Sequence, residues 1–525
     1  MKRIITLALF LTLVSACAPS SAVTPTATAA PVSWWRNAIF YEVFVRSFSD
    51  SNGDGIGDFN GLRQKLDYLQ SLGVNALWLM PIHPSPSYHG YDVIDYYAVN
   101  PQYGTMDDFK RLLNQVHARG MHIIIDLVPN HTSSQNPWFV DADSSPGAAH
   151  RDWYLWAETN PGKYWNAGKN GYYFGSFCDC MPDLNYTNPA VTTEMEKIVR
   201  FWLNDMGVDG FRVDAVNRLI EDKGKIENTP ATHTWLKGFY QSYKADNPNA
   251  YTVGEVFGAG AFTAKTYTGN QLDQIFNFEM ASGFIYSVSG GSNSALQSAI
   301  QFSLADMPGG EYATFLTNHD QNRVMSMFNG NVNKAKVAAS LLLTSPGTPF
   351  IYYGEEIGMT GQKPDPDIRL PMQWTADPAT AGFSVGKPWR APAADTVSTN
   401  VAAEEKEAAS LLNHYRALTA LRNAQPALRT GSLTLLDTGS PAVYASLRTQ
   451  AADTLLILVN LSAKPVTDYK ISLSAAALQD GSYTPENLFG SGAASALTVS
   501  SGVFNNYKPL TVLPAFTTWV FRLRQ

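Results

Sequence analysis

The chain has 525 residues, 38 Lys and Arg against 45 Asp and Glu, and a formal net charge of −7. Such a length holds two to four structural units, or one large barrel with smaller additions. Charged residues make up only 16% against 45% hydrophobic, which excludes a mostly disordered chain. The acidic balance lacks the basic footprint that phosphate backbones require, so nucleic acid is not an expected partner.

Lys2 and Arg3 precede an apolar run from Ile4 to Val14, too short to cross ~30 Å of hydrocarbon and suited to a signal peptide. Val14-Ser15-Ala16-Cys17 resembles a bacterial lipobox, in which the cysteine receives lipid and becomes the new N-terminus. Residues 1–17 are therefore expected to be removed or lipidated at Cys17, giving an exported lipoprotein on the cell surface or facing the periplasm. An ordinary secretory signal is the alternative. Residues 18–33 are almost wholly Ala, Pro, Ser and Thr, a composition that buries little and serves as a flexible tether.

From residue 34 the chain alternates short β-rich runs with amphipathic helical stretches, the pattern of parallel strands joined by crossover helices. Ala38–Val45 reads as the first strand. A helix over Gly61–Leu72 places Leu62, Leu66 and Leu69 on one face, and Ala76–Leu79 is the second strand. Asp107–Arg119 is the next helix, stopped by Gly120, and His122–Leu127, with three consecutive isoleucines, is a strand buried on both faces. Phe211–Val213, Tyr251–Val253, Gln274–Phe276, Ala313–Leu316 and Pro349–Tyr353 complete eight strands.

These elements predict an α/β fold: a (β/α)8 TIM barrel over 34–130 and 188–430. Residues 131–187, rich in Trp, Tyr, Gly and Asn, form an excursion domain after the third strand. Residues 431–525 lack long amphipathic helices and carry runs such as Thr454–Val459 and Thr517–Leu523, which predict an antiparallel C-terminal β-domain. Within the excursion, Cys178 and Cys180 stand two residues apart. A bridge, a free pair and a metal-binding pair all remain open for them.

Barrel chemistry gathers where strands end, and four segments there are dense in acids and imidazoles: DLVPNHTS (126–133), GFRVDAVNR (210–218), VGEVF (253–257) and FLTNHDQNR (315–323). Asp214 and Glu255 follow consecutive strands, which lie ~4.8 Å apart. Two carboxyls at that spacing suit a retaining glycosidase, because an inverting one keeps ~6.5–9.5 Å for a water. Arg212 shares a face with Asp214 and can hold it ionised. Glu255 must carry a proton at neutral pH, so its pKa must be raised and the pH–rate profile bell-shaped.

In order and spacing, these segments resemble the four conserved regions of the α-amylase family of glycoside hydrolases (family 13), a likeness covering about residues 37–430. The resemblance implies retaining double displacement on α-glucosidic bonds, with Asp214 as nucleophile, Glu255 as general acid/base and Asp320 as the third carboxylate. It also implies sugar contacts from His131 and His319, from His89, Tyr91 and Asp92 in YHGYD, and from Arg369 in RLPMQW. No organic cofactor is called for, and the partner is an α-glucan taken by a monomer.

MPDLN (181–185) resembles a region intermediate between oligo-1,6-glucosidases and neopullulanases, where lipid-anchored α-amylases occur, whereas RLPMQW resembles exo-acting α-glucosidases. Asn217 and Arg218 stand where a Lys-His pair is frequent, which puts leaving-group contacts in doubt. The leading reading is an α-amylase cutting internal α-1,4 bonds of starch and maltodextrins. Its rivals are an exo-acting α-glucosidase, an oligo-1,6-glucosidase and a neopullulanase or cyclomaltodextrinase. A non-catalytic glucan-binding protein is disfavoured, since such relatives usually lack one of the three carboxylates.

The loop Asp50–Asp58 (DSNGDGIGD) alternates oxygen-bearing and small residues, as calcium loops do. It is no EF-hand, because Gly61 occupies the twelfth position. It resembles the calcium loop of oligo-1,6-glucosidase-like relatives, which implies structural Ca2+ held by Asp50, Asn52, Asp54, the Ile56 backbone oxygen and Asp58. A polar turn in which Asp58 caps the following helix is the alternative.

Overall fold

The computed structural model describes residues 33–525. The signal segment, Cys17 and the linker up to Val32 lie outside the described residues. The first strands are β1 (Phe40–Val43), β2 (Ala76–Leu79) and β3 (His122–Leu127). Three short strands of the excursion follow, β4 (Trp156–Ala157), β5 (Trp165–Gly168) and β6 (Gly171–Phe174). The chain then supplies β7 (Gly210–Val213), β8 (Tyr251–Gly254), β9 (Gln274–Phe276), β10 (Tyr312–Thr314) and β11 (Thr348–Tyr352).

Strands β1, β2, β3, β7, β8, β9, β10 and β11 close into one parallel barrel, β11 pairing back onto β1 through Phe350 and Phe40. Side-chain alternation divides each strand between two environments. Ile123 and Ile125 of β3 join the large core against the helices, whereas Ile124 enters the barrel with Phe40, Ala76, Tyr251, Phe276 and Phe350. The interior is thus packed low in the barrel, and the chemistry is confined to one end.

Local signals set the helices. Met106–Ala118 begins with a capping box between Thr105 and Asp108 and is followed by Gly120 at φ +68°. The continuous helix expected over 61–72 is instead two short ones, Phe59–Gln64 and Leu66–Ser71, broken at Lys65. The excursion holds a three-stranded sheet in the order β4-β6-β5, a structure that its irregular sequence pattern does not advertise.

Beyond the barrel come β12 (Ser432–Leu435), β13 (Val443–Gln450), β14 (Asp453–Asn460), β15 (Ile471–Leu473), β16 (Gly481–Phe489), β17 (Leu497–Val499), β18 (Phe504–Tyr507) and β19 (Thr518–Arg524). Six of them form an antiparallel sheet, β12-β13-β14-β19-β16-β17, and β15 pairs with β18. Along β14, Leu455, Ile457 and Val459 face the barrel core while Leu456 and Leu458 face the domain's own core. Two buried arginines fasten this junction at the C-terminus of helix Val332–Thr344. Arg422 donates to the carbonyls of Leu343, Ser345 and Gly347, and Arg448 to those of Thr344 and Gly431. Cations there complement the negative end of the helix.

Candidate active site

The same alternation that fills the barrel changes chemistry at its upper end. Two residues beyond apolar Phe40 comes Glu42; two beyond Ile124 comes Asp126; two beyond Gly210 comes Arg212, then Asp214; and two beyond Val253 comes Glu255. Val213 and Gly254 are register partners, so Asp214 and Glu255 leave adjacent strands side by side. Arg212, buried to 1% exposure, lies between carboxyls. It donates to Asp214, to Asp126 at 2.9 Å, and stands 3.6 Å from Glu255. Ala215, just past Asp214, takes a left-handed conformation at φ +43° that is costly for a residue with a Cβ. In that turn its N–H donates to Glu255 Oε2 at 3.2 Å.

Burial pushes the Glu255 carboxyl up, Arg212 opposes this, and the charges of Asp214 and Asp320 add to it, leaving it at about 7. Asp126 is also raised by burial against the pull of Arg212. Asp320 responds in the opposite direction. Burial would raise it, but His319 and Arg369 outweigh that and hold its carboxyl well below the usual range.

Asp320 is gripped from two sides, by His319 Nε2 at 3.1 Å and Arg369 Nη2 at 3.0 Å. Arg369 also donates through Nε to the His319 carbonyl at 2.9 Å. The Tyr91 hydroxyl lies 2.6 Å from His319 Nε2 and donates to Asp126 at 3.1 Å. His89 Nδ1 accepts from the Tyr91 N–H at 3.1 Å. His131 Nε2 lies 3.2 Å from the Tyr91 carbonyl. Burial lowers both His89 and His131, against the pull of Asp92 on the first and of Asp214 on the second.

A cavity of about 510 Å³ opens over these groups, lined by Asp214, Glu255, Asp320, His89, Tyr91, His131 and Arg369. The remaining expected residues sit behind that lining. Arg212 and His319 are buried beneath it, and Asp92 accepts from the Ser85 and Ser87 hydroxyls 4.0 Å from His89. Phe177, Glu227, Lys363 and Asp365, which no sequence motif marked, also line the cavity, with Met181 of MPDLN and Phe257 of VGEVF. Phe177 and Phe257 are 47% and 60% exposed, an aromatic excess that only the folded surface reveals. Asn217 and Arg218 line it too, with Arg218 over the Phe177 ring at 5.2 Å and paired with Glu227.

Cys178 and Cys180 form a disulfide, their Cα atoms 5.2 Å apart, within the ordinary range. The sulfurs are bonded to each other and are therefore not a metal-binding pair. Cys178 forms part of the cavity wall.

In the 50–58 loop, the Asp50 carboxylate accepts from the N–H groups of Asn52, Gly53 and Gly55 and from Ser384. Asp58 accepts from Ser51 and caps the next helix through Gly61 N–H. Gly55 sits at φ +92°, and a Cβ there would meet the Lys387 carbonyl at 2.1 Å, so only glycine fits. Among the described residues the Ile56 carbonyl accepts no hydrogen bond. The donor set is oxygen throughout, which suits a hard cation.

The sequence profile described as "Alpha amylase, catalytic domain" matches residues 42–431. The chain belongs to the α-amylase family. It is 42% identical over 438 residues to Alpha-amylase 3 of Dictyoglomus thermophilum, covering 82% of this chain and 85% of that one. At 34% identity it matches Trehalose synthase/amylase TreS of Mycobacterium tuberculosis (82% and 83%), and at 32% the Oligo-1,6-glucosidase of Bacillus cereus (82% and 91%). Among solved structures, the α-amylase from H. orenii superimposes with a TM-score of 0.79 at 39% identity, covering 93% of this chain and 99% of its own. The closed barrel and C-terminal antiparallel sheet are the family's architecture, and a glycoside hydrolase acting on glucan follows from membership.

Proposed function

We propose that the chain is a retaining α-amylase that cleaves internal α-1,4 bonds of starch and maltodextrins. An Asp214 oxygen attacks the anomeric carbon while Glu255 gives its proton to the departing glycosidic oxygen, leaving a glycosyl ester on Asp214. Glu255, now a carboxylate, takes a proton from water, whose oxygen attacks the same carbon and frees Asp214. Asp320, held by His319 and Arg369, grips sugar hydroxyls as the anomeric carbon becomes cationic.

The observation that carries this reading is the setting of Glu255. It is buried, beside Asp214 at the same step of the adjacent strand, within reach of Arg212, and holds its proton up to about 7. The endo preference draws on the two α-amylase relatives at 42% and 39% identity. An exo-acting glucosidase is the second reading, favoured by RLPMQW and by the 32% identical oligo-1,6-glucosidase. A product time course on maltoheptaose decides: a spread of maltooligosaccharides supports the endo reading, and glucose as the sole early product overturns it.

The oxygen-lined loop is read as a structural calcium site through Asp50, Asn52, Asp54, the Ile56 carbonyl and Asp58; calcium there would stiffen the loop that is hydrogen-bonded to the 383–389 segment. The enzyme is read as an exported monomer, lipid-anchored through Cys17, on the strength of its first 17 residues.

A further inference from the structure

Glu42 has no role in the scheme above, although it lies inside the barrel at 2% exposure, in contact with a residue that grips the third carboxylate. A carboxyl so far from water needs a partner. Its Oε1 lies 2.6 Å from His319 Nδ1, and across the same ring Nε2 lies 3.1 Å from Asp320 Oδ2. Both contacts are direct, and His319 is fully buried.

A neutral imidazole has one N–H and one lone pair. If Nδ1 carried the proton, the Nε2 lone pair would face the Asp320 carboxylate. With the proton on Nε2, the Nδ1 lone pair would face Glu42. Between two carboxylates, only the imidazolium donates in both directions. The Nε2–H is shared between Asp320 Oδ2 at 3.1 Å and the Tyr91 hydroxyl oxygen at 2.6 Å, and that hydroxyl donates in turn to Asp126.

We propose that Glu42 is a positioning residue, holding His319 as an imidazolium so that Nε2–H fixes the Asp320 carboxylate toward the cavity. The groups facing the ring from its neighbours are Glu42 on β1, the Trp78 ring on β2, Tyr91 on the following loop, Asp126 on β3 and Asp320 beside it. Arg369 bonds the His319 backbone rather than the ring. Burial works against charge on His319, but Asp320 and Glu42 prevail and raise its pKa to about 9. Glu42 and His319 stand 277 residues apart, so no local pattern links them.

The bearing on catalysis rests on the hydrolase reading, whereas the charge state of His319 does not. Histidine side-chain NMR of the whole protein between pH 5 and 9 tests it, the His319 signal being the one lost in His319→Gln. The expected result is an imidazolium that persists past pH 8 in the wild type and in Glu42→Asp, and a midpoint at least about one pH unit lower in Glu42→Gln. In kinetics, kcat/KM of Glu42→Gln should drop at least about twofold more than wild type between pH 6 and pH 8, with Glu42→Asp restoring most of it. A wild-type midpoint near 6.5, or an unchanged midpoint in Glu42→Gln, overturns the proposal. If Glu42→Gln fails to fold, the wild-type midpoint still decides. A chain that hydrolyses no glucan while His319 stays charged would refute the hydrolase reading alone.

Discussion

Asp214 and Glu255 share Arg212: the guanidinium is hydrogen-bonded to the first and 3.6 Å from the second. Their strands are in register, and the two carboxyls emerge from the same step of the barrel. One carboxyl therefore takes a charge-assisted hydrogen bond while its neighbour, more distant from the cation and buried, keeps its proton at neutral pH.

That division predicts the basic side of the pH profile. Glu255 must be protonated to act as acid, and its pKa is raised to about 7. Activity should hold below that value and fall as pH rises through it, approaching a tenfold loss per pH unit. Initial rates on maltoheptaose at low substrate concentration report the limb as kcat/KM. Glu255→Gln should lack this limb and lose activity throughout.

Arg212 serves Asp126, Asp214 and Glu255 together. Arg212→Met leaves those carboxyls buried without their cation, at a cost of about 3–5 kcal/mol in stability. Chemical denaturation should show that loss alongside a fall in hydrolysis of about 10²–10³.

Away from the site, Glu355 is fully buried beside Glu356 and accepts from the Tyr415 hydroxyl at 2.8 Å. Burial raises its pKa to about 8. A carboxyl raised on folding favours the folded state most at low pH, and that contribution is lost as pH rises toward 8. Glu355→Gln should therefore lose less thermal stability than wild type between pH 5 and 9, as calorimetry can measure.

Calcium in the 50–58 loop predicts that chelation lowers the melting temperature, by ~1 °C for each kcal/mol of binding lost. Asp54→Ala should melt lower and gain less from added calcium than wild type does. An equal response of the two proteins, or no metal in elemental analysis, removes the loop's claim to the ion.

Much of the barrel is readable in the sequence because its strands are short apolar runs with chemistry at the ends. The apolar runs end where β2, β3 and β9 end, and within two residues of the limits of β7, β8, β10 and β11. Elsewhere local pattern has little hold. The 61–72 helix keeps its apolar spacing across Lys65 even though the backbone breaks there. The excursion sheet is built from two- to four-residue strands, too short for alternation to register. In the site, residues at strand ends are legible, but Glu42 stands within an apolar strand and its partner lies 277 residues further along the chain. Phe177 and Phe257 carry no signal until folding exposes them beside the carboxyls.

The central claim is double displacement through Asp214. It is tested most directly by trapping the intermediate in Glu255→Gln with an activated α-glucosyl fluoride and mapping the adduct by mass spectrometry. The account predicts one glycosyl group, on the peptide bearing Asp214. A label on another carboxylate, or no adduct together with β-anomeric first products from the wild type, would contradict it.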